Sequence, residues 1–245
     1  MKPYDAKAFI EALKALQSDD ELHKIQRYFK SGDNAYGAGD VFMGVRMGEV
    51  FKLAKAMMNM PLKEVEKLLE SEIHEARAGA VSIMDFRARV KKITADERKA
   101  LFDLYISRHD RINNWDLVDR SAQFVVGAYV YDNPGNTTLE KLATSKNLWE
   151  RRTAMVSTAY FLRKGDNGPV FKIAEMLIDD KEDLIQKAVG GWLREAGRKS
   201  PDKLRNFLEM HATKMAPVML RYATEHFDQQ EKQYYSEKRK AVKAK

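Results

Sequence analysis

The stretch Asn113–Tyr131, NNWDLVDRSAQFVVGAYVY, decides the fold class. Its second half, FVVGAYVY (124–131), is the best strand candidate in the chain: a run of apolar, β-branched and aromatic residues. It follows directly on WDLVDRSAQ, whose apolar spacing is helical, and it extends that helix without a break signal. Read as helix, it leaves no convincing pair of alternating strands, and an all-α fold is expected.

The rest of the chain agrees. FIEALKALQ puts Phe9, Leu13 and Leu16 on one stripe, and IHEARAGAVSIMDFRARV repeats the pattern with Ile73, Arg77, Val81, Met84 and Phe86. ADERKALFDLYISRH supplies Leu101, Leu104 and Tyr105, while IAEMLIDD and LRNFLEMHA continue the period. Helix starts are expected at Thr94, with Glu97 three residues on as a capping box, and at Pro61, Pro169 and Pro201. Breaks fall at 31–40, 59–61, 109–114, 132–136, 164–169 and 197–201. Their later spacing is about that of a helix pair, the unit of HEAT-like repeats. The expected architecture is one α-solenoid domain over residues 1–245, with a lysine-rich tail from 228. The first loop holds Gly32, Gly37, Gly39 and Gly44, and reads either as a ligand approach or as a connector.

Composition narrows the partner. The chain has 43 Lys+Arg against 36 Asp+Glu, a net charge of +7. Residues 1–110 hold 19 basic and 18 acidic residues, so 24 basic and 18 acidic fall in 111–245. A polyanion contacting mainly the second half fits this surplus; so does a basic tail of Lys238, Arg239, Lys240, Lys243 and Lys245. The absence of cysteine excludes disulfides, iron–sulfur clusters and thiolate zinc sites. The start, MKPYDAKAFIEALKAL, has no signal-peptide run, and no segment approaches the ~20 apolar residues of a membrane span. A cytoplasmic, nucleoid-associated protein without membrane contact is expected.

Most chemical motifs are missing. GAGDVFMG (37–44) lacks the strand that a dinucleotide loop requires, and no phosphate loop ends in Gly-Lys-Ser/Thr. His23, His74, His109, His211 and His226 are scattered without metal-ligand spacing. No nucleophile elbow supports a serine triad. Neither metal nor cofactor is expected.

The two carboxylates of NNWDLVDR remain. If Asn113 or Asn114 caps a helix, Asp116 lies in its first turn, where the dipole favours it. Asp119 lies beyond that turn. It shares a helix face with Trp115, four residues earlier, and an indole beside a carboxylate suits a cation. The plain alternative is Trp115 in the core and Asp119 paired with Arg120, Arg152 or solvent.

Three more segments set beside WDLVD bear on this choice: GVRMGEVFKLAK (44–55), SKNLWERRTAMVS (145–157) and DLIQKAVGGWLREAGRKSP (183–201). The series W-D-x-V-D, then N-x-W-x-x-R about thirty residues on, then a Q-K-A-x-G helix ending L-R-E resembles the AlkD family of DNA alkylation-repair glycosylases, from about Lys24 to Phe227. The resemblance implies HEAT-like antiparallel helix pairs curved around duplex DNA with a concave basic face. It also implies hydrolysis of the N-glycosidic bond of cationic purines such as 7-methylguanine and 3-methyladenine, without base flipping. By position, Asp119 and Trp115 match the catalytic aspartate and a cleft tryptophan, Arg152 a cleft arginine, and Arg194 a DNA-facing base. Arg46, Lys146, Arg151, Lys187 and Arg198 complete the expected duplex contacts. The family's second cleft tryptophan would stand at Gly191, whereas here the indole comes next, at Trp192, ~100° around a helix. Either that helix is locally reset or Trp192 faces elsewhere, in the core or the cleft. Trp149 reads as packing. A monomer is expected, and the competing function is a HEAT-like scaffold that binds DNA or protein without cutting.

Overall fold

The computed structural model describes residues 4–29 and 40–241, apart from the side chain of Tyr28. Loop residues 31–39, with Gly32, Gly37 and Gly39, lie outside the described residues, as do Lys243 and Lys245 of the tail. The described residues are all-helical except for connectors and one isolated bridge between Val41 and Ile73.

The helices are α1 (Ala6–Lys14), α2 (Asp19–Tyr28), α3 (Met47–Ala56), α4 (Leu62–Glu70), α5 (His74–Ala88), α6 (Ala95–Ser107) and α7 (Trp115–Ala122). A π-helical turn, Gln123–Gly127, joins α7 to α8 (Ala128–Asp132). Then come α9 (Thr138–Ala143), α10 (Leu148–Arg163), α11 (Gly168–Met176), α12 (Asp183–Lys199), α13 (Pro201–His211), α14 (Pro217–Ala223) and α15 (Gln229–Ala241). FVVGAYVY is therefore helical, its register shifted by one residue in the π turn, where Ala128 N–H donates to Gln123 O.

The helices gather into two compact units, Met1–Tyr129 and Val130–Lys245. In the first, α3 packs on α5 and α5 on α7, while α4 and α6 touch each other and both touch α5. In the second, α10 packs on α12 and α12 on α14, with α9 and α11 touching each other and α10. Alternate helices thus form one row and the intervening helices another, which is the local packing of an α-solenoid.

Each unit has a helix sheathed on nearly every side. Helix α5 buries Ala76, Ala78, Gly79, Ala80 and Ser82 as well as Val81, Ile83 and Met84, where periodicity suggests a single stripe. Small residues let neighbours approach from several directions: a Cβ on Gly79 would stand 2.3 Å from the Phe9 ring. Phe9 and Leu13 are fully buried, each stabilising the unit by about 1.5–3 kcal/mol. Leu16, expected on the same stripe, lies past the end of α1 and is 43% exposed.

The helix starts follow their local signals. Thr94 Oγ1 accepts the Glu97 N–H at 3.1 Å, although the Glu97 carboxylate turns to Arg87 instead of closing the capping box. Pro201 opens α13, Pro169 stands second in α11 and Pro61 immediately precedes α4. Helix α12 runs on through Gly197, so the break expected from 197 begins at Ser200.

Candidate active site

Asn114, not Asn113, is the N-cap of α7, with extended backbone (φ −146°, ψ 154°). Its Oδ1 accepts the Trp115 N–H at 2.8 Å, and its Nδ2 donates to Asp40 Oδ2 at 2.8 Å. Asp116 occupies the first turn but does more than complement the dipole, since its Oδ2 accepts from His74 Nε2 at 2.8 Å. His74 opens α5 and has no exposed surface. Its Nδ1 lies 3.4 Å from Asp40 Oδ2, an ion-pair distance without hydrogen-bond geometry. Phe29 and Phe42 flank the imidazole, each with a centroid 4.9 Å away. Arg77 pairs with Asp40 and donates to the carbonyls of Ser71 and Glu72.

Burial pushes the His74 pKa down, but the hydrogen bond to Asp116 and the charge of Asp40 outweigh it and hold the value at about 9. His74 is therefore an imidazolium at neutral pH. Burial likewise works against the Asp40 carboxylate, yet His74 and Arg77 keep it below the usual range. The start of α7 is thus tied to α5 and to Asp40 by a chain of charged, buried hydrogen bonds. Sequence reasoning missed this chain, because His74, Asp40 and Asp116 carry no shared motif and meet only in the fold.

Trp115, the first residue of α7, is half-buried and stacks on Phe29 (5.6 Å between centroids, 24° between planes). Asp119, one turn on, is exposed. Its neighbour Arg120 is committed elsewhere: Nη1 pairs with buried Asp85 at 3.0 Å, Nε donates to Ser82 Oγ at 3.1 Å, and the guanidinium lies 4.6 Å from both the Phe51 and Phe86 rings. Arg46, immediately before α3, is exposed and pairs with Glu21 at 2.9 Å.

In the second unit, Arg151 is half-buried and bound to Asp180 (2.6 Å) and to the carbonyls of Ser145 and Lys146. Arg152 is 8% exposed, and its Nη1 donates to Leu184 O at 2.8 Å, linking α10 to the first turn of α12. Lys146 is exposed before α10, and Lys187 pairs with Asp183 within α12 at 2.6 Å. Arg194 binds Glu225 and Glu195, and exposed Arg198 lies 3.5 Å from Glu195. Trp149 is 9% exposed and packs, with fully buried Met155, into the core of the unit.

The Gly190-Gly191 pair divides its roles. A Cβ on Gly190 would lie 2.4 Å from the Met219 carbonyl oxygen, so this glycine lets α12 and α14 touch. A Cβ on Gly191 would meet nothing within 4 Å. Helix α12 is continuous through both, so Trp192 points ~100° away from the open direction at 191. Trp192 is half-buried.

Among the described residues no group of three or more His, Asp and Glu side chains could hold a metal ion, and no helix is long and apolar enough to cross a membrane.

Residues 9–227 match the sequence profile of a family described as "DNA alkylation repair enzyme". No curated protein sequence matches significantly. Among solved structures, the chain is similar to one described as "Predicted DNA alkylation repair enzyme from Enterococcus faecalis", with a TM-score of 0.65 and 19% identity over 87% of this chain and 97% of that one. At that identity the likeness concerns the fold, whereas the profile covers most of the sequence. The chain belongs to the DNA alkylation repair enzyme family.

Proposed function

We propose that the protein is a monofunctional DNA glycosylase that hydrolyses the N-glycosidic bond of cationic alkylated purines, 7-methylguanine and 3-methyladenine among them, in duplex DNA without flipping the base. The observation that carries this reading is the pairing of Trp115 with exposed Asp119 on one turn of α7, a helix whose start is locked by Asn114, Asp116, His74 and Asp40. An N7- or N3-alkylated purine is already a cation and leaves without a general acid. Positive charge then moves onto the deoxyribose as the bond breaks. A carboxylate at that position stabilises the transition state more than the ground state and orients the attacking water. Asp119 is the proposed electrostatic catalyst. Trp115, held against Phe29, offers its ring to the sugar cation and excludes bulk water. Arg152 sets the DNA backbone beside the lesion, and Arg46, Lys146, Arg151, Lys187, Arg194 and Arg198 supply sequence-independent grip.

The test is chromatography of bases freed from methylated duplex DNA. Asp119→Asn should keep DNA affinity and lose base release by roughly 10²-fold or more, the scale of removing one electrostatic stabiliser. Full activity in that variant overturns the assignment. Gly191 favours a second reading, a helical scaffold that binds DNA but does not cut, because the family's second cleft tryptophan is missing there. That reading expects salt-dependent DNA affinity and no freed base from the wild type.

A further inference from the structure

Five of the side chains proposed to grip DNA already face a carboxylate: Arg46 faces Glu21, Arg151 Asp180, Lys187 Asp183, Arg194 Glu225 and Arg198 Glu195. A phosphate approaching any of them must share or displace that partner. The second unit carries another basic surface whose cations are less engaged, and it lies where α15 packs on α14. The family match ends at residue 227, so α15 (Gln229–Ala241) falls beyond the family segment.

A groove of about 740 Å³ runs between the two helices. Arg221, Lys232, Arg239 and Lys240 line it, with Glu225 and Glu237 as its carboxylates. Arg221 and Lys240 are exposed, and Lys232 and Arg239 are half-buried. Arg221, Lys232 and Lys240 make no ion pair among the described residues. Arg239 is anchored through Nε, which donates to Met215 O at 2.8 Å. Glu225 is held by Arg194, and Glu237 accepts from Gln233 Nε2 at 2.8 Å. The groove thus sets four positive charges against two negative ones, and Arg194 offsets one of those. Lys232 and Arg239 lie two turns apart on one face of α15, about 10 Å along its axis. Arg221 extends the surface toward α12, being close enough to Lys187 for the two charges to repel.

We propose that the α14–α15 groove is a second anchoring site for duplex DNA, which binds backbone phosphates and is distinct from the residues proposed for the cleft. It rests on the reading that the chain acts on duplex DNA, but not on any catalytic role of Asp119. A strand presents a row of phosphates, and cations two turns apart on one helix face meet such a row. Gln229 and Ser236, which also line the groove, add neutral donors of the kind that contact phosphate oxygens. Backbone contacts carry no information about the base, so the site holds undamaged and alkylated duplex alike.

Anisotropy titrations of the full chain with an undamaged labelled duplex, over a range of salt concentrations, test this. Removing all three unpaired cations (Arg221→Ala, Lys232→Ala, Lys240→Ala) should weaken binding roughly tenfold or more and lower the salt slope by about two to three, at an unchanged melting temperature. A control with the same loss of charge in the first unit, at exposed Lys7, Lys14 and Lys63, should keep the wild-type slope. An unaltered slope in the first variant, or an equal loss in both, overturns the proposal. So does intact duplex affinity with lost binding to phosphatidylserine vesicles, which would assign the groove to a membrane surface. If the triple variant melts early, exposed Lys240→Glu alone decides, since it should lower the slope by about one. Base release from methylated duplex by the wild type is scored separately. A wild type that binds through this groove and frees no base sinks the glycosylase reading and upholds this one. A wild type that frees base, with DNA binding untouched in the triple variant, does the reverse.

Discussion

His74 has no exposed surface, yet it carries a proton between two carboxylates. Its pKa of about 9 lies above the unfolded value of 6.5, so folding favours the charged form. The stability this adds is complete below about pH 6.5 and disappears as pH rises through 9. Asp40 works in the opposite sense: its lowered pKa adds stability above its ordinary 3.8, which is lost as pH falls further. Between these limits the pair is fully effective. From pH 6.5 to 9.5 the wild type should lose roughly 5 °C more in Tm than His74→Asn. Parallel curves for the two proteins would show that no charge resides on His74. The carboxylates of α7 divide between two tasks at this scale: Asp116 faces this network and Asp119 faces outward. Their spacing in NNWDLVDR already distinguishes a first-turn residue from one beyond it. The histidine that claims the first is 42 residues away and is invisible to any local pattern.

Helix α12 illustrates what an element demands of adjacent residues. Gly190→Ala gains helix propensity, but its Cβ would meet backbone on α14, which cannot withdraw as a flexible side chain can. Overpacking prevails, and stability in urea should fall by about 1–3 kcal/mol. Gly191→Trp places an indole in open space and should leave the urea midpoint nearly unchanged. On the proposed function it also supplies the missing cleft wall, so base release should rise several-fold in the chromatographic assay. An unchanged rate would mean that the direction of residue 191 has no bearing on the lesion. The starts of α6, α11 and α13 were legible because Thr94, Pro169 and Pro201 act through covalent geometry and near neighbours. The extent of burial of α5 was not, because it depends on how many helices surround it, and periodicity records only one favoured face.

At the scale of the whole molecule, charge is the quantity that matters. On the proposed function, the net +7, with most of the surplus beyond residue 110, should give DNA affinity that falls steeply with salt. Anisotropy titrations should give log K linear in log salt concentration, and Arg198→Ala should reduce the slope by about one if that side chain meets a phosphate. Arg151, committed to Asp180 and two carbonyls, should change the slope least among the arginines proposed to grip DNA. Taken alone, the sequence determined the all-helical class, the helix starts at Thr94, Pro61, Pro169 and Pro201, and the placing of Trp115 and Asp119 one turn apart on a helix, because period, caps and i,i+4 spacing act over one or two turns. It also marked the departure at Gly191. Only the tertiary structure decided that His74 holds Asp116, that Arg120 binds buried Asp85, and that Gly190 serves packing while Gly191 is open. Each of these depends on which distant segment arrives beside a side chain, and that is settled by the packing of one helix on another.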